Sequence, residues 1–147
     1  VSSLKPSLKI EEFKGEWKKE WFTYKVDKWG VRTNKLYDST WVAPDGAKLC
    51  FEVRSPMANT MIVAIDGYAT EIGLPGKNKW KSVKLSANDL KDAELKPLSS
   101  WNGVKQLSLD ESETLRPPRG SNAKPRSLGG QWKGKAPEFR DLRWLEN

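Results

Sequence analysis

The residues best suited to chemistry in this chain are its tryptophans and the cations beside them. There are eight tryptophans among 147 residues. Trp29, Trp41, Trp80 and Trp132 sit next to glycine, lysine or turn residues, where a place in a core is hard to arrange. The run Asp27-Lys28-Trp29-Gly30-Val31-Arg32-Thr33-Asn34-Lys35 sets one flat ring among several hydrogen-bond donors. The run Gly129-Gly130-Gln131-Trp132-Lys133-Gly134-Lys135 does the same. A pyranose presents a patch of polarised C–H groups that a rigid indole face can meet at low ordering cost. Guanidinium and ammonium groups bind sulfate or carboxylate through charge-assisted hydrogen bonds. Trp29, Arg32, Lys35 and Trp132 are therefore the candidate carbohydrate-binding residues. The other tryptophans divide by context. Trp144 is in phase with Leu142 and predicts a core position, Trp101 predicts a plug at one end of the fold, and Trp17 and Trp21, four apart, fit either role.

Several chemistries are excluded or unsupported. Without histidine there is no Ser-His or Cys-His triad and no His-ligated metal. Gly129-Gly130 lacks the flanking strand and helix that a phosphate loop needs. Glycoside hydrolysis requires paired carboxylates, and Asp66, Glu71, Asp110 and Asp141 are scattered with no pair marked by spacing. Tyr24, Tyr37 or Tyr68 with a nearby lysine could act in elimination, but nothing singles one out. No catalytic residue is assigned, and the chain reads as a non-enzyme. Cys50 is alone, which rules out an intrachain disulfide, and its apolar strand context predicts packing rather than reactivity. The net charge of +7 points to an anionic partner.

The elements that must position these groups show period-two alternation. Leu49, Phe51 and Val53 alternate with Cys50, Glu52 and Arg54. Met61-Ile62-Val63-Ala64-Ile65 continues past an Asp66-Gly67 turn through Tyr68 to Ile72. Val83 with Leu85, Leu107 with Leu109, and Leu142 with Trp144 mark three more strands. Pro44-Asp45-Gly46 and Pro75-Gly76 read as turns. The single helical hint spans residues 86–92, room for one or two turns. Short strands with so little helix predict an all-β fold, an antiparallel two-sheet β-sandwich, in one domain over residues 1–147. No apolar stretch is long enough to span a membrane, and the start, Val1 to Lys9, is polar and unlike a signal peptide.

Residues 115–135 break the rhythm. They hold six Lys/Arg, no Asp or Glu, and three prolines. The prolines and glycines predict a basic inserted loop that cannot pair as a regular strand. Such a loop is either functional or a solvated, mobile connection.

Three stretches together resemble the galactose-binding-like β-sandwiches (jelly rolls) of carbohydrate-binding modules appended to bacterial polysaccharide-active enzymes. The first is Ile10-Glu11-Glu12-Phe13 with Trp17 and Trp21, similar to an acidic-aromatic opening strand. The second is WKSVKLSANDLKDAELKPLSSWNGVKQLSL from Trp80, similar to a strand, a short helical turn, a Leu-x-x-Trp-x-Gly segment and a further strand. The third is Phe139-Arg140-Asp141-Leu142-Arg143-Trp144, similar to the closing strand. The resemblance covers nearly the whole chain, except that residues 116–126 look inserted, so nothing about that loop carries over. It implies a structural calcium joining the opening strand to the closing one, at Glu12 and Asp141 with Glu11 as a further ligand; hard oxygen ligands suit that ion. The alternative is that Glu11 and Glu12 solvate a strand start and Asp141 pairs with Arg140 or Arg143. The resemblance also implies a secreted, extracellular or periplasmic location, any export signal having been removed, and a catalytic domain in the same chain.

The expected function is non-catalytic binding of a polysaccharide by a monomeric module, targeting an attached carbohydrate-active enzyme to its substrate. Charge beside aromatics favours an acidic glycan, sulfated before carboxylated. Single-stranded nucleic-acid binding is a rival, since basic charge with exposed aromatics also describes such proteins. A catalytic jelly-roll glycosidase or lyase and a structural spacer are the others.

Overall fold

The computed structural model describes residues 8–11, 22–23, 29–34, 36 and 42–145. Among the described residues eleven strands run in the order β1 (Leu8–Glu11), β2 (Phe22–Thr23), β3 (Val31–Thr33), β4 (Lys48–Arg54), β5 (Asn59–Ile65), β6 (Tyr68–Leu74), β7 (Lys81–Leu85), β8 (Leu107–Asp110), β9 (Ser112–Leu115), β10 (Arg126–Gly129) and β11 (Glu138–Leu145). Among the described residues the helical content is one short 3-10 turn, Ala87–Asp89. It is closed by a capping box in which the Ser86 N–H donates to Asp89 Oδ2 at 2.8 Å. No helix of the described residues is long and apolar enough to cross a membrane.

The strands form two antiparallel sheets and a separate hairpin. Sheet one has the order β1-β11-β4-β7, sheet two β2-β3-β8-β5-β6, and β9 pairs with β10. The all-β sandwich expected from alternation is what the chain adopts. Leu49, Phe51, Val53, Val83 and Leu85 face inward from sheet one, against Met61, Val63, Ile65, Leu107 and Leu109 of sheet two. Trp144 is fully buried. Trp101 is buried too, with its Nε1 donating to the Ala47 carbonyl at 2.6 Å and its ring 5.1 Å from that of Trp144. Both take the packing roles their contexts predict. Cys50 is buried and free, and burial pushes its thiol above the ordinary value against the pull of Arg143, Lys84 and Lys48.

Two features depart from simple alternation. In β11 both Phe139 and Leu142 are buried, which strict period two forbids. The register against β4 slips between Arg140 and Arg143, and Asp141 takes a left-handed φ of 56° in the slip. A bulge of one extra residue restores the phase, and a short polar side chain tolerates that conformation. The second departure corrects an expectation. Part of the basic segment 115–135 does pair regularly, with Arg126 opposite Leu115 and Gly129 opposite Ser112. Pro117, Pro118 and Pro125 all fall in the connection, so the Arg126–Gly129 strand keeps every N–H.

This hairpin lies over the outer face of sheet two. Leu115 and Leu128 pack on Ile62, Ala64 and Ala69, a second apolar cluster separate from the main core. Gly129 ends β10 with φ +74°, and a Cβ there would press into the Glu111 carbonyl and come within 3.0 Å of Ile62. Gly129→Ala should therefore lower stability by about 2 kcal/mol or more. Urea unfolding checks this, with Gly130→Ala, which has open space around it, as the near-neutral control.

Candidate binding groove

Where the hairpin ends, part of the outer face of the β5–β6 pair stays uncovered. Thr60 and Gly73 lie opposite each other there, both exposed. Nothing stands within 4 Å of where a Gly73 side chain would project. The space above them is a cavity of about 740 Å³, bounded by Asn59, Glu71, Lys81 and by Gly129, Gly130, Gln131 and Lys133 of the segment after β10.

That segment, residues 129–135, is tied down along its length. The Gly129 N–H donates to Glu71 Oε1 at 3.0 Å, the Gly130 N–H to the Glu111 carbonyl at 3.1 Å, and the Trp132 N–H to Glu111 Oε2 at 3.0 Å. Lys133 and Asn59 exchange a pair of bonds. The Lys133 N–H donates to Asn59 Oδ1 and Asn59 Nδ2 donates back to the Lys133 carbonyl, each at 2.8 Å. Trp132 Nε1 donates to the Lys135 carbonyl at 2.7 Å. The wall is preformed, and the N–H groups of Gly129, Gly130, Trp132 and Lys133 are already engaged within the protein. The cations Lys81 and Lys133 form no ion pair among the described residues. Glu71, the carboxylate bordering the cavity, already accepts the Gly129 N–H.

Of the expected site residues, Trp29 and Trp132 come together at the segment that walls the groove, whereas Arg32 lies on β3, separated from β5 by β8. Trp29 and Trp132, far apart in sequence, meet edge to face with ring centroids 5.1 Å apart. Both are half-buried against the main core, and Trp29 also lies 6.0 Å from Phe139. Trp132 stands directly behind the wall formed by Gln131 and Lys133. Gly30 follows Trp29 because a Cβ there would come within 2.8 Å of the Asp110 carboxylate. Arg32 sits in β3 opposite Ser108, flanked by buried Val31 and Thr33, and so faces outward from sheet two. Lys35, Trp41 and Glu12 lie outside the described residues.

Asn59, Thr60, Gly73 and Lys81 escaped the sequence reading, while Glu71 entered it only as one of the scattered carboxylates and Gln131 only as part of the run around Trp132. One signal was available: Gly73 interrupts the outward phase of a strand, a common mark of close approach or open space. Asp141 lies in the β11 bulge, near the point where Glu11 of β1 pairs with Leu142. The opening and closing strands therefore do meet there. Among the described residues no group of three or more Cys, Asp or Glu side chains could hold a metal.

Trp80 is placed differently, on the outer face of sheet one. The Arg140 and Arg54 guanidinium carbons lie 3.9 and 4.6 Å from its ring centroid. Each arginine also pairs with an acid, Arg140 Nε with Glu52 at 2.8 Å and Arg54 with Glu138 at 3.1 Å. The hydrogen bond from Arg140 holds the Glu52 carboxyl below the usual carboxylate range, outweighing its desolvation. A depressed carboxylate contributes stability above its unfolded pKa and loses it as pH falls through the folded one. Arg140→Met should thus cost about 1 kcal/mol near pH 7, from a partly exposed pair and a cation–π contact. The gap from the unaltered protein should narrow below about pH 4, as urea titrations at neutral and acid pH will read. Compared with known protein families, curated proteins and solved structures, the chain finds no match in any of the three.

Proposed function

We propose that this chain is a non-catalytic polysaccharide-binding module that takes an acidic glycan along the β5–β6 groove and targets an attached carbohydrate-active enzyme. The observation that carries the reading is the open groove itself, with its preformed wall, the Gln131 amide and two lysines without an ion pair among the described residues. A planar amide suits the paired donors and acceptors of sugar hydroxyls, and Lys81 and Lys133 suit sulfate or carboxylate substituents. A wall already tied down adds little ordering cost on binding. In this reading Trp29 and Trp132 brace the wall from behind, and Arg32 adds a cation on the outer face of sheet two, on β3. The order of strand, short turn and closing strand resembles the carbohydrate-binding modules and supports the same reading.

Two rivals are less well supported. Hydrolysis needs two carboxylates across the substrate, and Glu71 borders the groove with its Oε1 engaged. Single-strand nucleic-acid binders stack bases on aromatic platforms, and among the described residues no aromatic ring borders this groove.

Affinity for a sulfated galactan and its desulfated counterpart, each at about 50 and about 200 mM salt, tests the proposal. The sulfated chain should bind more tightly and lose affinity with salt. Lys81→Ala combined with Lys133→Ala should weaken it about tenfold. Gly73→Val, which suits a strand but fills the groove, should block both ligands. Equal, salt-insensitive binding, or binding indifferent to Gly73→Val, would count against it.

A structural calcium at Glu12 and Asp141 belongs to the same proposal. The pairing of β1 with β11 brings the opening strand to the Asp141 bulge, as such a site requires. Native-state binding at about a hundredfold excess over Kd stabilises by about 2.7 kcal/mol. Chelation should lower the melting temperature of calcium-loaded protein, and Asp141→Asn should abolish the difference. An unmoved melting curve removes calcium from the account.

A further inference from the structure

A second cavity, of about 190 Å³, opens at the opposite end of the sandwich. It lies between the turn before β4, the end of β7 and the segment around Trp101, whereas the groove lies where β5 and β7 begin. Asp45, Asn88, Ser99 and Asn102 border it, and their side chains make no hydrogen bond to any described residue. The floor is rigid. Trp101 is anchored through Nε1 to the Ala47 carbonyl and packed on Trp144, and the Asn102 N–H is held by Ser100 Oγ at 3.0 Å. Gly46, with φ +71° and nothing within 4 Å of where a Cβ would sit, keeps the mouth open.

We infer that this pocket is a second binding site, for a single uncharged sugar residue such as the end of a glycan chain. Two primary amides offer paired donors and acceptors, a carboxylate offers two acceptors, and a hydroxyl offers both. That set matches vicinal hydroxyl groups. Among the described residues no lysine or arginine borders the pocket, so an anionic substituent finds no partner there, in contrast to the groove. Its volume, about a quarter of the groove's, suits one ring and not a chain passing through.

The test follows backbone amide and indole NMR signals while methyl β-galactoside, methyl β-glucoside and methyl α-mannoside are added in turn. At least one should shift Gly46, Asn88, Asn102 and the Trp101 indole with saturable, salt-insensitive behaviour. Asn88→Ala with Asn102→Ala should weaken that binding at least tenfold while leaving the thermal melt unchanged. The Lys81→Ala, Lys133→Ala protein should bind the glycoside as the unaltered protein does, so a failure of the groove reading leaves this result standing. Absence of saturable shifts at these four residues with all three glycosides would overturn the inference, as would shifts that survive the double asparagine change.

Discussion

Strand β5 has to satisfy two apolar layers at once, because it is hydrogen-bonded on both edges and buried on both faces. Met61, Val63 and Ile65 face sheet one, and Ile62 and Ala64 face the other way. Burying a side chain of this size stabilises by about 1.5–3 kcal/mol, so leaving the second face bare would expose a contiguous apolar strip. The β9–β10 hairpin covers that strip, and its position follows from the need. It reaches only as far as the apolar residues do. Thr60 and Gly73, at the far end of the same face, stay open, and the segment leaving β10 becomes the wall beside them. The groove is thus the uncovered remainder of a face whose other part had to be covered.

Much of the framework was legible in the sequence because it rests on period two. Leu49, Phe51 and Val53, the Asp66-Gly67 hairpin and the buried Trp144 all follow from residue type and phase. The double burial of β5 was also written there, since Ile62 and Ala64 are apolar in the phase that should face water. The β10 strand was not legible. Segment composition averaged its Pro-free tetrad with the three prolines of the connection, and a four-residue strand gains its stability from Ile62 and Ala69, remote in sequence. The Asp141 bulge was hidden for a similar reason, because a one-residue slip shows only when Phe139 and Leu142 are both required inside.

The candidate site was legible in part. Reasoning from Trp132 and its cations led to the segment that walls the candidate groove, and Trp29 meets Trp132 across 102 intervening residues. What sequence could not show was the orientation of the rings, which turn their edges and faces to one another and to the core. The polar lining of the groove comes from single positions on β5, β6 and β7, such as Thr60, Glu71 and Lys81. Each is ordinary for an exposed strand residue, and only the packing of the two sheets brings Lys81, from β7 of sheet one, beside the β5–β6 pair of sheet two.

In sheet one the last of its strands to be made, β11, is inserted between two made much earlier, β1 and β4. While the chain emerges, β4 has β7 on one edge and nothing on the other, and β1 has no partner in its sheet. The apolar inner face of β4 therefore waits for residues 138–145 before it can be sealed. Pairings of such sequence separation are slow to form and leave strand edges exposed meanwhile. A ribosome-bound chain stalled before Glu138 would hold one finished sheet, one half-sheet and an open hydrophobic seam between them, a natural substrate for a chaperone.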